Sequence, residues 1–256
     1  MFPLRDDNPH FLTPFVTYGL IALNVLAWAL LQGFGTEPML SRSVCELGLT
    51  PGELLQRAAV GARVPVSETA VCIVTDMPSW FTPLTSMFMH GSWLHLIGNM
   101  WFLWIFGNNV EDSMGHVRFV AFYLLCGFAA AAVQTLADPE SIIPMVGASG
   151  AIGGVMGAYV VLYPRVKVHM LVFLGFFVTT IAVPAVFMLG YWFALQLLSG
   201  ALSSGVEGGV AFWAHVGGFV AGAVLVLLFR NPRLLERHPY YGMQRASPTR
   251  SWRRTR

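Results

Sequence analysis

Residues 141–164 read SIIPMVGASGAIGGVMGAYVVLYP and contain no Asp, Glu, Lys or Arg. A helix needs about 20 mostly apolar residues to cross the hydrocarbon core of a bilayer. The start of the stretch, Ser141–Val146, carries Pro144 and reads as a loop. From Ser149 onward the residues suit a helix with one nearly bare side, lined by Gly150, Ala151, Gly153, Gly154, Gly157 and Ala158. Small side chains of this kind let a neighbouring helix approach closely. Uncharged runs recur along the chain: Phe11–Thr36, and the intervals between Asp76 and Glu111, Arg118 and Asp138, Lys167 and Glu207, and Glu207 and Arg230.

Composition agrees with this reading. The 256 residues are 55% hydrophobic and 11% charged, whereas soluble domains carry about 25% charged residues. So much apolar surface could not be hidden from water by a soluble fold, so the expected class is an all-α polytopic membrane protein. Six spans are expected, at 14–32, 93–110, 116–136, 149–164, 183–200 and 211–229. The run 168–206 has room for one span plus an interfacial segment, or for two spans. Charge decides between them, because cytoplasmic segments are enriched in Lys and Arg. Six spans with the N-terminus inside leave twelve basic residues inside (Arg5, Arg118, Arg165, Lys167 and all eight of the tail) and three outside, Arg42, Arg57 and Arg63. A seventh span would put the basic tail outside and is rejected.

The expected organisation is a cytoplasmic N-terminus at 1–13, a six-helix membrane domain at 14–230 with a large external loop at 33–92 between helices 1 and 2, and a basic cytoplasmic tail at 231–256. The tail is expected to be unstructured and to lie on anionic lipid. Asp6, Asp7 and Pro14 precede the first apolar run, so no cleavable signal peptide is expected. Cys45 and Cys72 fall in the external segment, where a disulfide is permitted, with two separate thiols as the alternative. Cys126 lies mid-span and reads as packing. The sequence contains no metal-ligand cluster, nucleotide-binding loop or internal repeat. No metal, cofactor or nucleic-acid partner is expected.

Polar groups inside a bilayer are costly and so mark function. Four stand out: His95, Asn99, Ser149 and His215. Ser149 sits in Gly147-Ala148-Ser149-Gly150. Position 151 is Ala and a loop precedes the motif, which excludes the strand–turn–helix elbow of soluble hydrolases. Taken alone, Ser149 is more easily a helix cap, and His215 is as easily a structural histidine. His95 and Asn99, four apart, share a helix face and taken alone suit an interhelical clamp. Glycine spacing links the first two: Gly153 and Gly157 on span four match Gly218 and Gly222 on span six, and packing on those faces sets Ser149 beside His215. A hydrogen-bonded Ser–His pair is what activation of a serine nucleophile requires, and two donors nearby could hold an oxyanion. Depth favours a shared site. Ser149, His215 and His95 lie 16, 15 and 16 residues before Arg165, Arg230 and Glu111 respectively. At 1.5 Å per residue, all three sit about 23 Å above the cytoplasmic boundary.

With these residues in place, the chain resembles the rhomboid family of intramembrane serine proteases across its six spans. The matching pieces are His90, His95 and Asn99 at their spacing, Glu111, Gly147-Ala148-Ser149-Gly150, and Ala214-His215-Val216-Gly217-Gly218 with Gly222. The resemblance implies a Ser–His dyad with Ser149 as nucleophile and His215 as general base and acid. His95, Asn99 and the Ser149 backbone N–H would stabilise the oxyanion, with His90 and Glu111 structural. It implies gating by span five with its preceding loop and single-span membrane-protein substrates with small or helix-breaking residues near the cut; no cofactor is expected, and the charge pattern puts both termini on the cytoplasmic side of the cell membrane. A water-filled cavity lined by His90, His95, Asn99 and Ser86 is expected. Two positions depart from the pattern of some bacterial members. Trp80-Phe81-Thr82 lacks their Arg. Gly153 replaces a Tyr that stacks on the histidine, so His215 must be held by something else, Trp213 or a backbone contact. The alternatives are an inactive rhomboid-like protein that binds membrane clients, for which loss of Ser149 or His215 would be the sign, and a transporter, for which inverted repeats would be the sign.

Overall fold

A computed structural model describes residues 2–77, 79–175, 177–202 and 211–241. Helices α1 (Phe15–Leu30), α5 (Trp93–Met114), α6 (His116–Ala137), α7 (Ser149–Leu162), α8 (Ala185–Leu202) and α9 (Phe212–Phe229) occupy the six places where spans are expected. Short helices α2 (Met39–Leu47), α3 (Pro51–Leu54) and α4 (Thr82–Thr85) lie between α1 and α5, and α10 (Pro232–Arg237) follows α9. By length and composition α6, α8 and α9 can cross a membrane, while α1 and α7 are shorter apolar helices of 16 and 14 residues.

The protein is mostly helical but not all-α. Strand β1 (Phe2–Asp6) pairs antiparallel with β4 (Lys167–Leu174), which pairs antiparallel with β5 (Phe177–Pro184). Strands β2 (Arg63–Pro65) and β3 (Val71–Ile73) form a second, two-stranded hairpin. The part of 168–206 ahead of the expected span at 183, with room for an interfacial segment, is therefore occupied by β4 and β5, and α8 begins at Ala185. The physical reason is residue type: Val168, Val172, Phe173, Val178, Thr179, Thr180, Ile181 and Val183 are β-branched or aromatic and favour a pleated backbone. Gly175, at φ +64°, makes the turn.

Local chemistry sets the helix ends. The Ser92 side chain accepts a hydrogen bond from the His95 backbone N–H (3.2 Å) and caps α5. Gly115, at φ +82°, breaks α5 from α6. Helix α1 has no side-chain cap of its own. Glu111, fully buried at the far end of α5, takes that role: it accepts from the backbone N–H groups of Val16 (3.0 Å) and Thr17 (2.8 Å) and from the Thr17 hydroxyl (2.7 Å). Asp112 accepts from the N–H groups of Phe11 and Leu12. Glu111 thus satisfies free donors in the first turn of α1 at the positive end of its dipole, and Asp112 ties down the segment leading into it.

Helix α7 is the innermost. Every residue from Gly150 to Tyr159 is buried, and α7 packs on α5, α6, α8 and α9. Its approach to α9 is backbone to backbone. A Cβ at Gly218 would stand 1.9 Å from the Gly150 carbonyl oxygen, and one at Gly222 would stand 1.9 Å from that of Gly154. Gly153 faces the His215 carbonyl and Gly157 that of Phe219. The expected glycine-on-glycine contact is present, three residues (about one turn) out of register: Gly150 and Gly154, rather than Gly153 and Gly157, meet Gly218 and Gly222.

Cys45 and Cys72 are bonded to each other, joining α2 to β3, and Cys126 is a buried free thiol. The expectation of an unstructured tail from residue 231 does not hold for 231–241. The Asn231 side chain caps α10, the Asn231 backbone N–H donates to the Ser113 carbonyl (2.8 Å), His238 is fully buried beside Tyr163, and the Tyr241 hydroxyl donates to the Leu162 carbonyl (2.8 Å). Aromatic burial ties this segment down. The rest of the expected tail, 242–256, lies outside the described residues.

Candidate active site

Ser149 is the first residue of α7 and does not cap it: the cap position is Ala148, with no side-chain cap bond. The Ser149 Oγ instead lies 2.8 Å from Nε2 of His215, in the first turn of α9. The contact joins residues 66 apart in sequence. It depends on the glycine contacts, because Gly150 beside the serine touches Gly218, one turn from the histidine.

His95 enters from the first turn of α5. Gly147, at φ +128°, is both conformationally and sterically required. A Cβ there would lie 2.7 Å from His95 Nε2 and 3.4 Å from Ser149 Oγ. The glycine therefore keeps open a space between the nucleophile candidate and the His95 ring. Asn99 is buried one turn further along α5, and its amide donates to the His95 carbonyl (3.0 Å). That bond uses one of its two amide hydrogens.

Two cavities meet at the pair. One of about 250 Å³ is lined by Ser86, His95, Met145, Gly147, Ser149 and His215. The other, about 220 Å³, lies between α5 and α8 and is lined by His95, Asn99, Phe102, Ser149, Trp192 and His215. His95, Ser149 and His215 belong to both. His90, expected to line the cavity, does not. It is fully buried beneath, with its ring edge-on to His95 at 5.1 Å. Its backbone N–H and carbonyl are clamped by the Gln32 carboxamide, at 2.8 Å each. Burial, with a smaller contribution from His95, pushes the His90 imidazole down to about 3, so it stays neutral. Glu111 lies at the opposite end of α5 as the cap of α1, a structural place.

His215 is held by neither Trp213 nor a backbone group. Its Nδ1 lies 2.8 Å from Oε1 of Gln196 on α8, and the Trp192 ring tilts over it at 5.9 Å. Trp213 instead packs against Gly200. Both holding residues went unread in the sequence. The available signal was a lone carboxamide in the apolar run of α8, one turn beyond Trp192.

The arrangement is a polytopic helical protein with a serine at a helix N-terminus, bonded to a histidine, among helices in backbone contact. The Rhomboid domain model matches residues 78–232, which include every residue of this site. The chain belongs to the rhomboid family, whose members are generally serine intramembrane proteases. It is 32% identical over 161 residues to rhomboid-like protein 11, chloroplastic, of Arabidopsis thaliana, covering 60% of this chain and 54% of the relative. It is 28% identical over 185 residues to rhomboid-like protease 5 of Toxoplasma gondii (70% and 20%), and 34% identical over 92 residues to rhomboid protein 1, mitochondrial, of Saccharomyces cerevisiae (34% and 27%). The chain thus spans about half the length of the first relative and less of the others.

Proposed function

We propose that this chain is an intramembrane serine endopeptidase that cleaves transmembrane segments of other membrane proteins with a Ser149–His215 dyad. The observation that carries the reading is the 2.8 Å contact between Ser149 Oγ and His215 Nε2 at the junction of two cavities. Ser149 attacks the scissile carbonyl as His215 Nε2 takes its proton. The oxyanion is held by the Ser149 backbone N–H at the positive end of α7, by His95 and by the free amide hydrogen of Asn99. Collapse expels the amine, which receives the proton from His215. Water then enters and releases the acyl group by the same steps in reverse order.

The six long helices cross the membrane, with residues 1–13 and 231–256 on the basic cytoplasmic face of the cell membrane and 33–92 outside. The 250 Å³ cavity, edged by Ser86 and Met145–Gly147, is the water path from the exterior. The opening between α5 and α8 is the lateral path for a substrate helix. A single-span substrate must unwind to present a carbonyl, so helix-breaking residues near the cut favour cleavage.

The test is cleavage of a fluorogenic single-span substrate by the full chain in liposomes. Ser149→Ala and His215→Ala each abolish turnover with folding intact, and Asn99→Ala slows acylation by about 2 to 4 kcal/mol or less. Normal cleavage by Ser149→Ala would sink the mechanism. An unchanged rate in Asn99→Ala would remove that residue from the oxyanion site.

A further inference from the structure

Helix α8 meets α9 along one stripe. Trp192, Gln196 and Gly200 are four apart and share a face, with Phe193 beside them. Phe193 stacks on Phe219 at 4.6 Å, Trp192 lies 6.1 Å from the same ring, and Gly200 admits Trp213. Gln196 supplies a carboxamide to this apolar stripe, and its Oε1 faces His215 Nδ1 at 2.8 Å. A carboxamide in a membrane helix is costly without a partner, and this contact supplies one.

A neutral imidazole carries a single ring hydrogen, and the partner of one nitrogen decides which nitrogen holds it. An oxygen facing Nδ1 places the hydrogen there. Nε2 then presents a lone pair to Ser149, the form that can take the hydroxyl proton. With the hydrogen on Nε2 the ring would donate to Ser149 and could not act as base.

We propose that Gln196 is the positioning residue of this centre, and that its place on α8 makes the readiness of His215 depend on α8 being seated against α9. This rests on the protease reading above. Of the three long apolar helices α8 is the least buried, 22% of its most apolar stretch against 44% for α6 and 39% for α9. Phe187, Tyr191 and Leu198 on its other faces are exposed. The Ser149–His215 contact lies between α7 and α9. Displacement of α8 therefore breaks the Gln196 bond while leaving nucleophile and base in place. A helix entering between α5 and α8 meets a base whose tautomer is set only as α8 closes.

The experiment compares Gln196→Met, Gln196→Asn and Gln196→Glu with wild type and Ser149→Ala in liposomes. Met keeps the length without an acceptor, Asn keeps the carboxamide one methylene short, and Glu keeps an acceptor at full reach. Met and Asn lower kcat by about 10- to 100-fold, part of the roughly 10²- to 10⁴-fold that a positioned base contributes. KM stays unchanged and Glu restores the rate. Wild-type kcat in Gln196→Met, or equal losses in Met and Glu, overturns the proposal. Nitrogen-15 histidine NMR tests it without turnover: the His215 signal, identified by its loss in His215→Ala, shows one tautomer protonated at Nδ1 in wild type and a mixture in Gln196→Met. An unchanged tautomer overturns the Gln196 role whatever the activity. A correct tautomer without any cleavage would instead count against the protease reading alone.

Discussion

Gly218→Ala puts a single methyl group between the two helices that carry the candidate nucleophile and base. Its Cβ would lie 1.9 Å from the Gly150 carbonyl oxygen and 2.8 Å from the carbon, both backbone atoms that no side-chain rotation can move. A carbon–oxygen contact settles at about 3.3 Å, so the helices must part by about 1.4 Å. The strain is typical of overpacking, costing about 1 to 3 kcal/mol of stability. Gly150 adjoins Ser149, and Gly218 lies one turn from His215. The parting is therefore felt at the Ser149 Oγ–His215 Nε2 contact, now 2.8 Å. An added 1 Å or so takes it beyond the roughly 3.2 Å limit of a good hydrogen bond, and a misplacement of about 1 Å costs about 10²-fold in rate. The assay is kcat for a fluorogenic single-span substrate in liposomes, with the unfolding midpoint in detergent beside it. Gly190→Ala on α8 is the control, since nothing lies within 4 Å of its added Cβ. It should leave kcat unchanged and, as a helix-interior change, stabilise by about 0.5 to 1 kcal/mol. Wild-type kcat in a folded Gly218→Ala protein would refute the claim that this glycine contact sets the dyad.

Two further outcomes concern the frame around the site. Asp6 in β1 accepts a hydrogen bond from the Tyr159 hydroxyl, and burial pushes its carboxyl up to about 6 from an ordinary 3.8. A raised carboxyl favours its neutral form in the folded state. The stabilisation is fully present below about 3.8 and is lost as pH rises through about 6, a change of up to about 3 kcal/mol. Unfolding midpoints should therefore show Asp6→Asn gaining on wild type between pH 4 and pH 7; a constant difference would contradict this. Opening the Cys45–Cys72 bond, which closes a loop of 27-residue separation, should cost about 3 to 4 kcal/mol by chain entropy. Wild type in reductant and Cys72→Ser should unfold at the same lowered midpoint, and a midpoint indifferent to reductant would refute it.

Much of the helical framework was legible because charge and apolar run length act locally along the chain. Charge gaps read together with apolar run length and the loop-forming residues placed the six long helices to within a few residues, and Gly218 and Gly222 announced a backbone contact. The β4–β5 hairpin was hidden because hydropathy does not separate an apolar strand from a membrane helix; the cue was the β-branched run Val178–Thr179–Thr180–Ile181 after Gly175. The cap that Glu111 places on α1, and the hold of Asp112 on the segment before it, join residues nearly a hundred apart and follow only from packing. Gln196 is likewise invisible until the register of α8 on α9 is known, since its partner, His215, is 19 residues away across a connection. The Ser149–His215 pairing was readable because glycines on both helices encode the contact themselves.

The central claim is that Ser149 is a nucleophile activated by His215. A fluorophosphonate probe reacts covalently with such a serine, and mass spectrometry of the full chain in detergent or liposomes locates the adduct without a known substrate. One adduct at Ser149 in wild type, abolished in both Ser149→Ala and His215→Ala, is the predicted result. Labelling that persists undiminished in folded His215→Ala, or that misses Ser149 in wild type, would contradict it.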